Sequence, residues 1–155
     1  MFVFKKIAFI VGSRSDLPKI DGGLKILEKM GISCDVKVLS AHRTPEEVRD
    51  FAIASEGEYD CIIAAAGKAA HLAGVIASHT TIPVIGVPIK SVPLDGMVSL
   101  LSIVEMPKGV PVATVGIDNA ENAALLAAEI IALGNSEVGE ALKRYREEMR
   151  KKVLS

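Results

Sequence analysis

Apolar positions along this chain fall into short blocks, and the blocks alternate with segments of helical periodicity. Ile7 to Val11 is a continuous apolar run ended by Gly12, the pattern of a strand buried on both faces. After the loop Gly12-Ser13-Arg14-Ser15-Asp16, Asp16 is placed to cap a helix reaching about Met30, with Pro18 tolerated in its first turn. Leu17, Ile20, Leu24, Leu27 and Met30 would be its apolar stripe, and Gly31 its stop. Alternation at Val36, Val38 and Leu39 predicts a second strand over Ser33 to Leu39. Thr44, Pro45 and Glu47 have the spacing of a capping box with proline at the first helical position. They predict a helix to about Ser55, with Val48, Phe51 and Ala52 inward. Tyr59 to Ala66 reads as a third strand, followed by a small-residue turn and helix over Gly67 to Val75. Val84 to Val87, between Pro83 and Pro88, reads as a fourth strand, and Asp95 to Val104 as a helix. Pro107, Gly109 and Pro111 make a stiff turn before a fifth strand, Val112 to Ile117. Asp118-Asn119-Ala120-Glu121 opens a helix with a thin face of Ala120, Ala123, Ala124, Ala127, Ala128 and Ile131. Gly134-Asn135-Ser136 breaks the chain before an amphipathic segment, Glu137 to Val153.

Strands alternating with helices predict an α/β fold in three layers, a doubly wound parallel sheet of order 2-1-3-4-5. At 155 residues one domain, 1–155, is expected. The last helix, about 137–153, carries Val138, Ala141, Leu142, Tyr145, Met149 and Val153 on one side. The sheet offers this stripe no obvious free face, so it is expected to pack across a subunit boundary.

Half of the residues are hydrophobic, 4% are aromatic and tryptophan is absent, so Ile, Val, Leu and Ala must build the core. A mean hydropathy of +0.37 fits a parallel sheet covered on both faces, large subunit interfaces, or both. A net charge of −1 argues against nucleic acid or an anionic membrane as partner. The basic residues between Lys143 and Lys152 read as a solvated helix face. No apolar run approaches the roughly 18 to 20 residues of a membrane span. Lys5, Lys6 and the polar loop after Gly12 do not fit a signal peptide. Cys34 and Cys61 are isolated, which suggests buried thiols in a reducing cytoplasm.

The turns after strands one, two and three converge on the crevice at the switch point of a 2-1-3-4-5 sheet. They carry Ser13, Ser15 and Asp16; then Ser40, Ala41, His42 and Arg43; then Gly67, Lys68, Ala69, Ala70 and His71. Serine hydroxyls, backbone N–H groups and Arg43 can hold a phosphate. Asp16 either accepts bonds from ribose hydroxyls or simply caps its helix. Ser13 and Ser15 either bind ligand or serve the turn. His42 is a general acid/base near neutral pH or a loop histidine. His71 is a pocket group or a core packing group. His79, at a helix end, reads as structural. The chain has no dinucleotide fingerprint, no Walker A sequence, no nucleophile elbow and no metal-ligand spacing.

Several stretches in order carry a resemblance. They are Gly12-Ser13-x-Ser15-Asp16, Ser40-Ala41-His42-Arg43-Thr44-Pro45 and Ala66-Gly67-x-Ala69-Ala70-His71-Leu72. Ser99 to Val104 with Met106-Pro107-x-Gly109-Val110-Pro111-Val112, and Asn122 to Ala128, complete the set. Together they resemble the catalytic subunits of the phosphoribosylaminoimidazole carboxylase family, which includes the N5-carboxyaminoimidazole ribonucleotide mutases of purine biosynthesis. The resemblance implies a flavodoxin-like fold, a homo-octamer and a cytoplasmic enzyme. It implies transfer of a carboxylate from the exocyclic nitrogen of an aminoimidazole ribonucleotide to ring carbon C4, through trapped carbon dioxide and without metal, biotin or ATP. The substrate would come from an ATP-dependent N5-carboxyaminoimidazole ribonucleotide synthetase, to which the enzyme would be functionally coupled. By the same resemblance His42 matches the acid/base. Ser13, Asp16 and Arg43 match nucleotide-binding positions, and Ser15 belongs to the same loop. Ser40, Gly67, Ala70, His71 and Leu72 match the pocket for base and carboxylate, and Ala41 lies in the same motif. The Met106-Pro107 loop resembles a segment contributed by a neighbouring subunit.

Lys68 departs from the Gly-Gly usual in bacterial mutases, and its side chain would either face solvent or assist carboxylate binding. A second class, which carboxylates aminoimidazole ribonucleotide directly with carbon dioxide, tends to have a basic residue there but lacks the histidine matching His71. A remoter alternative is a flavodoxin-like nucleotide- or flavin-binding module, for which Tyr59, Tyr145 and four phenylalanines are thin stacking material.

Overall fold

The computed structural model describes residues 6–92 and 94–155. The apolar run of β1 (Lys6–Val11) is fully enclosed from Ile7 onward because its two faces enter two different cores. Ile7, Phe9 and Val11 point into a core closed by α1 (Asp21–Lys29), α5 (Ala120–Ala132) and α6 (Ser136–Leu154). Ala8 and Ile10 point into the opposite core, closed by α2 (Pro45–Ala54), α3 (Leu72–Ala77) and α4 (Met97–Val104). A strand with helices over both faces cannot alternate apolar with polar, and this one does not.

Among the described residues the sheet has five parallel strands in the order β2-β1-β3-β4-β5, with β2 at Ser33–Val38, β3 at Cys61–Gly67, β4 at Val84–Ile89 and β5 at Ala113–Thr114. This is the doubly wound order expected from the alternation, and the flavodoxin-like α/β fold that the resemblance implies. The alanine face of α5 lets helices approach closely: a Cβ added at Gly23 of α1 would sit 2.7 Å from the Ala120 carbonyl oxygen. Such thin contacts build a dense interior from few large side chains.

Four local expectations are corrected. Asp16 does not cap α1. The chain runs through 3-10 turns from Arg14 to Ile20, Ser13 accepts from the Ser15 N–H at their start, and α1 begins only at Asp21. Pro18, which lacks an N–H, sits inside that tighter turn. Thr44 does not form the capping box either. Its hydroxyl is used on Ser40, accepting from the Ser40 N–H at 2.9 Å and donating to the Ser40 carbonyl at 3.1 Å. Pro45 still opens α2 at its first turn.

The fourth strand runs on through Pro88 to Ile89, while the fifth shrinks to Ala113–Thr114. The short fifth strand is what lets Pro88 lie within the fourth. The Gly86 and Pro88 carbonyls accept from Val115 and Asp118, so that side of β4 faces β5. By Pro88 the β5 ladder has ended, and the missing proline N–H interrupts no pairing there.

The near half of α6 packs on its own chain: Val138 and Leu142 are buried beside α5, and Arg146 pairs with Glu129 at 2.7 Å. Lys29 pairs with Glu148. The stripe therefore finds a face beside α5 that strand counting did not reveal. Only its far end, Met149 and Val153, is open in the single chain. Among the described residues no helix is long and apolar enough to cross a membrane.

Candidate functional site

The strands are parallel, so their C-terminal ends and the loops leaving them share one edge of the sheet. A cleft of about 520 Å³ lies there. Its first wall is the loop after β1: Gly12, Ser13, Ser15 and Asp16. Ser13 and Ser15 share a hydrogen bond of 2.9 Å between hydroxyls. Desolvation raises the Asp16 carboxyl above its ordinary value, opposed by a bond from Ser15 and by the Arg43 charge.

The loop after β2 brings Ser40, Ala41, His42 and Arg43 to the second wall. The Thr44 hydroxyl holds Ser40 at both its N–H and its carbonyl. Ser40 in turn accepts from Arg43 Nε at 3.2 Å, and Arg43 Nη2 donates to the Gly12 carbonyl at 2.9 Å. The guanidinium plane is fixed across two loops, with its remaining donors available beside the serines.

Gly67, Lys68, His71 and Leu72 follow β3 into the cleft. His42 Nε2 lies 2.9 Å from His71 Nδ1, the rings meeting edge to face with centroids 4.9 Å apart. One nitrogen donates and the other accepts, so the tautomer of each ring sets that of its neighbour. Ala70 is the exception among the expected site residues. It is 1% exposed and packs in the core under α2 and α3, not on the cleft wall.

The wall after β4, Ile89, Lys90 and Ser91, was missed by sequence reasoning. The rule that strand C-termini line the crevice would have found it, since β4 adjoins β3. Ser91 accepts from the Lys68 N–H at 3.2 Å and meets the buried Ser99 hydroxyl at 3.3 Å. Lys68 holds a left-handed backbone, φ 56°, normally left to glycine. Below the rim, Asp118 accepts from the Lys90 N–H and from Lys19 Nζ. Desolvation raises its carboxyl, but these two bonds and the lysine charges outweigh that and hold it below its usual value. Both thiols are quiet: burial pushes Cys34 up to about 11 and Cys61 up to about 12. No group of three or more His, Cys, Asp or Glu among the described residues is placed to hold a metal ion.

The cleft thus joins a fixed guanidinium, paired hydroxyls and a carboxylate to a hydrogen-bonded pair of imidazoles. It can bind a phosphorylated sugar and move a proton within the same space. The family model described as AIR carboxylase matches residues 6–152. The chain belongs to the AIR carboxylase family. The N5-carboxyaminoimidazole ribonucleotide mutase of Pyrococcus abyssi is 56% identical over 94% of this chain and 84% of its own. That of Thermotoga maritima is 49% identical over 96% and 88%. The chloroplastic phosphoribosylaminoimidazole carboxylase of Vigna aconitifolia is 47% identical, but this chain spans only 27% of it. The crystal structure of Treponema denticola PurE superposes with a TM-score of 0.89 at 28% identity, over 97% of this chain and 94% of that one.

Proposed function

We propose that this chain is an N5-carboxyaminoimidazole ribonucleotide mutase of purine biosynthesis, moving the carboxylate of its substrate from the exocyclic nitrogen to C4. The observation that carries the reading is the His42–His71 contact in a cleft whose other loops present Arg43, Ser13, Ser15 and Asp16. The relatives named as mutases support it, because this chain spans most of their length, whereas it is about a quarter of the Vigna carboxylase.

Ser13, Ser15 and Arg43 hold the 5′-phosphate, and Asp16 accepts from the ribose. Ser40, Ala41, Gly67, Lys68, His71 and Leu72 surround the base and its carboxylate. The cycle starts with His42 protonated. The N–C bond of the carbamate breaks, its electrons stay on nitrogen, and His42 delivers a proton there. Carbon dioxide is now free but confined. C4, enriched by the ring nitrogens, attacks it and forms the new C–C bond. His42 then takes the C4 proton and is restored. A positioned acid/base contributes roughly 10²- to 10⁴-fold. Confinement supplies the effective concentration that dissolved carbon dioxide lacks.

The assembly belongs to the same proposal: a cytoplasmic homo-octamer, supplied by an ATP-dependent N5-carboxyaminoimidazole ribonucleotide synthetase. Support comes from α4, where Met97, Val98, Leu101 and Val104 leave apolar surface open in the single chain. Met106 lies beside that surface, close against Gly74 of α3, and lines a groove that shares His71 with the cleft. A neighbouring copy seated on this face reaches the edge of the site.

The test offers purified protein N5-carboxyaminoimidazole ribonucleotide, and separately aminoimidazole ribonucleotide with bicarbonate. Formation of the C4-carboxylated product is expected from the first at low bicarbonate, and its loss in His42→Asn with the oligomer intact. Rapid product from the second alone would assign the direct carboxylase instead.

A further inference from the structure

The Asp118 carboxylate joins two walls of the cleft that are far apart in sequence. Its Oδ1 accepts from the backbone N–H of Lys90 at 2.8 Å, at the start of the wall formed by Lys90 and Ser91. Its Oδ2 accepts from Lys19 Nζ at 2.7 Å. Lys19 belongs to the short 3-10 segment that also carries Ser15 and Asp16. The Asp118 N–H donates to the Pro88 carbonyl at 2.8 Å, fixing the carboxylate against the end of β4. Its backbone is left-handed, φ 55°, a conformation that Asp and Asn tolerate better than other side-chain residues.

We propose that Asp118 is a positioning residue of the reaction, a staple that sets the separation of the Ser15–Asp16 loop and the Lys90–Ser91 wall. The inference rests on the mutase reading for its substrate, not for its geometry. The lysine pair is half exposed, so its weight in overall stability is small. Its weight in placement is larger, because site geometry must hold within about 0.5 Å to be productive. Ser91 also receives the Lys68 N–H, so a shift of that wall reaches the loop carrying His71.

The test compares wild type with Asp118→Asn, Asp118→Ala, Lys19→Met and the double variant Asp118→Asn/Lys19→Met. Asparagine keeps an acceptor for Lys90 and suits the left-handed backbone, but loses the charge facing Lys19. Asp118→Asn and Lys19→Met are each expected to raise KM about two- to fivefold. The double variant should be no worse than either single one, because both remove one bond. Asp118→Ala, which also frees the Lys90 N–H, should raise KM roughly tenfold or more. Thermal midpoints of the Asn and Met variants should match wild type. The same ordering is expected in calorimetric binding of ribose 5-phosphate, which does not depend on the reaction. Unchanged KM and binding in Asp118→Asn and Lys19→Met, or losses that simply follow a fall in thermal midpoint, overturn the staple. A wild type that binds ribose 5-phosphate but converts no N5-carboxyaminoimidazole ribonucleotide overturns the mutase reading instead, and the binding series still decides the role of Asp118.

Discussion

Asp16 illustrates how the site sets binding against stability. Its carboxyl is raised chiefly by desolvation, so the fold penalises the charged form. The folded value lies above the unfolded one, and between the two the native state binds more protons. Stability therefore falls as pH rises through that window, and the penalty is complete at neutral pH. Asp16→Asn should melt at the same temperature as wild type or higher at pH 7, while the proposed role of Asp16 as ribose acceptor predicts a raised KM. Calorimetry beside steady-state kinetics checks both, and a lower melting temperature would contradict the sign. The histidine pair was legible only in part. Spacing placed His42 and His71 on loops that meet, but their contact at 2.9 Å depends on side-chain torsions that no pattern encodes. Likewise Thr44 matched a capping box, yet the loop four residues before it offered both an N–H and a carbonyl within reach, and that local partner won.

At the scale of elements, what sequence made legible was periodicity, and what it hid was strand length and end geometry. β1, β3 and α5 are long apolar patterns whose surroundings leave no alternative. β5 stops at Thr114, and the chain then turns through left-handed Asp118, whose N–H meets the Pro88 carbonyl, a partner distant in sequence. Ala70 shares a motif with cleft residues but is buried in the core, while Lys68, Ala69, His71 and Leu72 on either side of it line the cleft. Lys68 itself yields a prediction. A left-handed non-glycine residue costs roughly 1 to 2 kcal/mol, while glycine returns about 0.5 to 1 kcal/mol of that through unfolded-state freedom. Lys68→Gly should leave the thermal midpoint equal or slightly raised and keep the Ser91 bond, which is made by the backbone. Turnover that survives this change places the lysine at the rim; turnover that collapses gives its ammonium a role with the carboxylate.

For the whole molecule, the doubly wound sheet explains the location of the cleft, but the high hydropathy is only partly consumed inside one chain. Leu101 and Val104 remain about half exposed on α4, and Val153 almost fully so on α6. Leu101→Glu is expected to lower the mass seen by light scattering and to cut activity with it; an unchanged mass would free α4 from any interface. The central claim is that one carboxylate travels within one closed site. Substrate labelled with carbon-13 in its carboxylate, turned over in unlabelled bicarbonate, measures this directly. Retention of the label at C4 in nearly every product molecule is the predicted result. Label diluted to the level of the surrounding bicarbonate would contradict it.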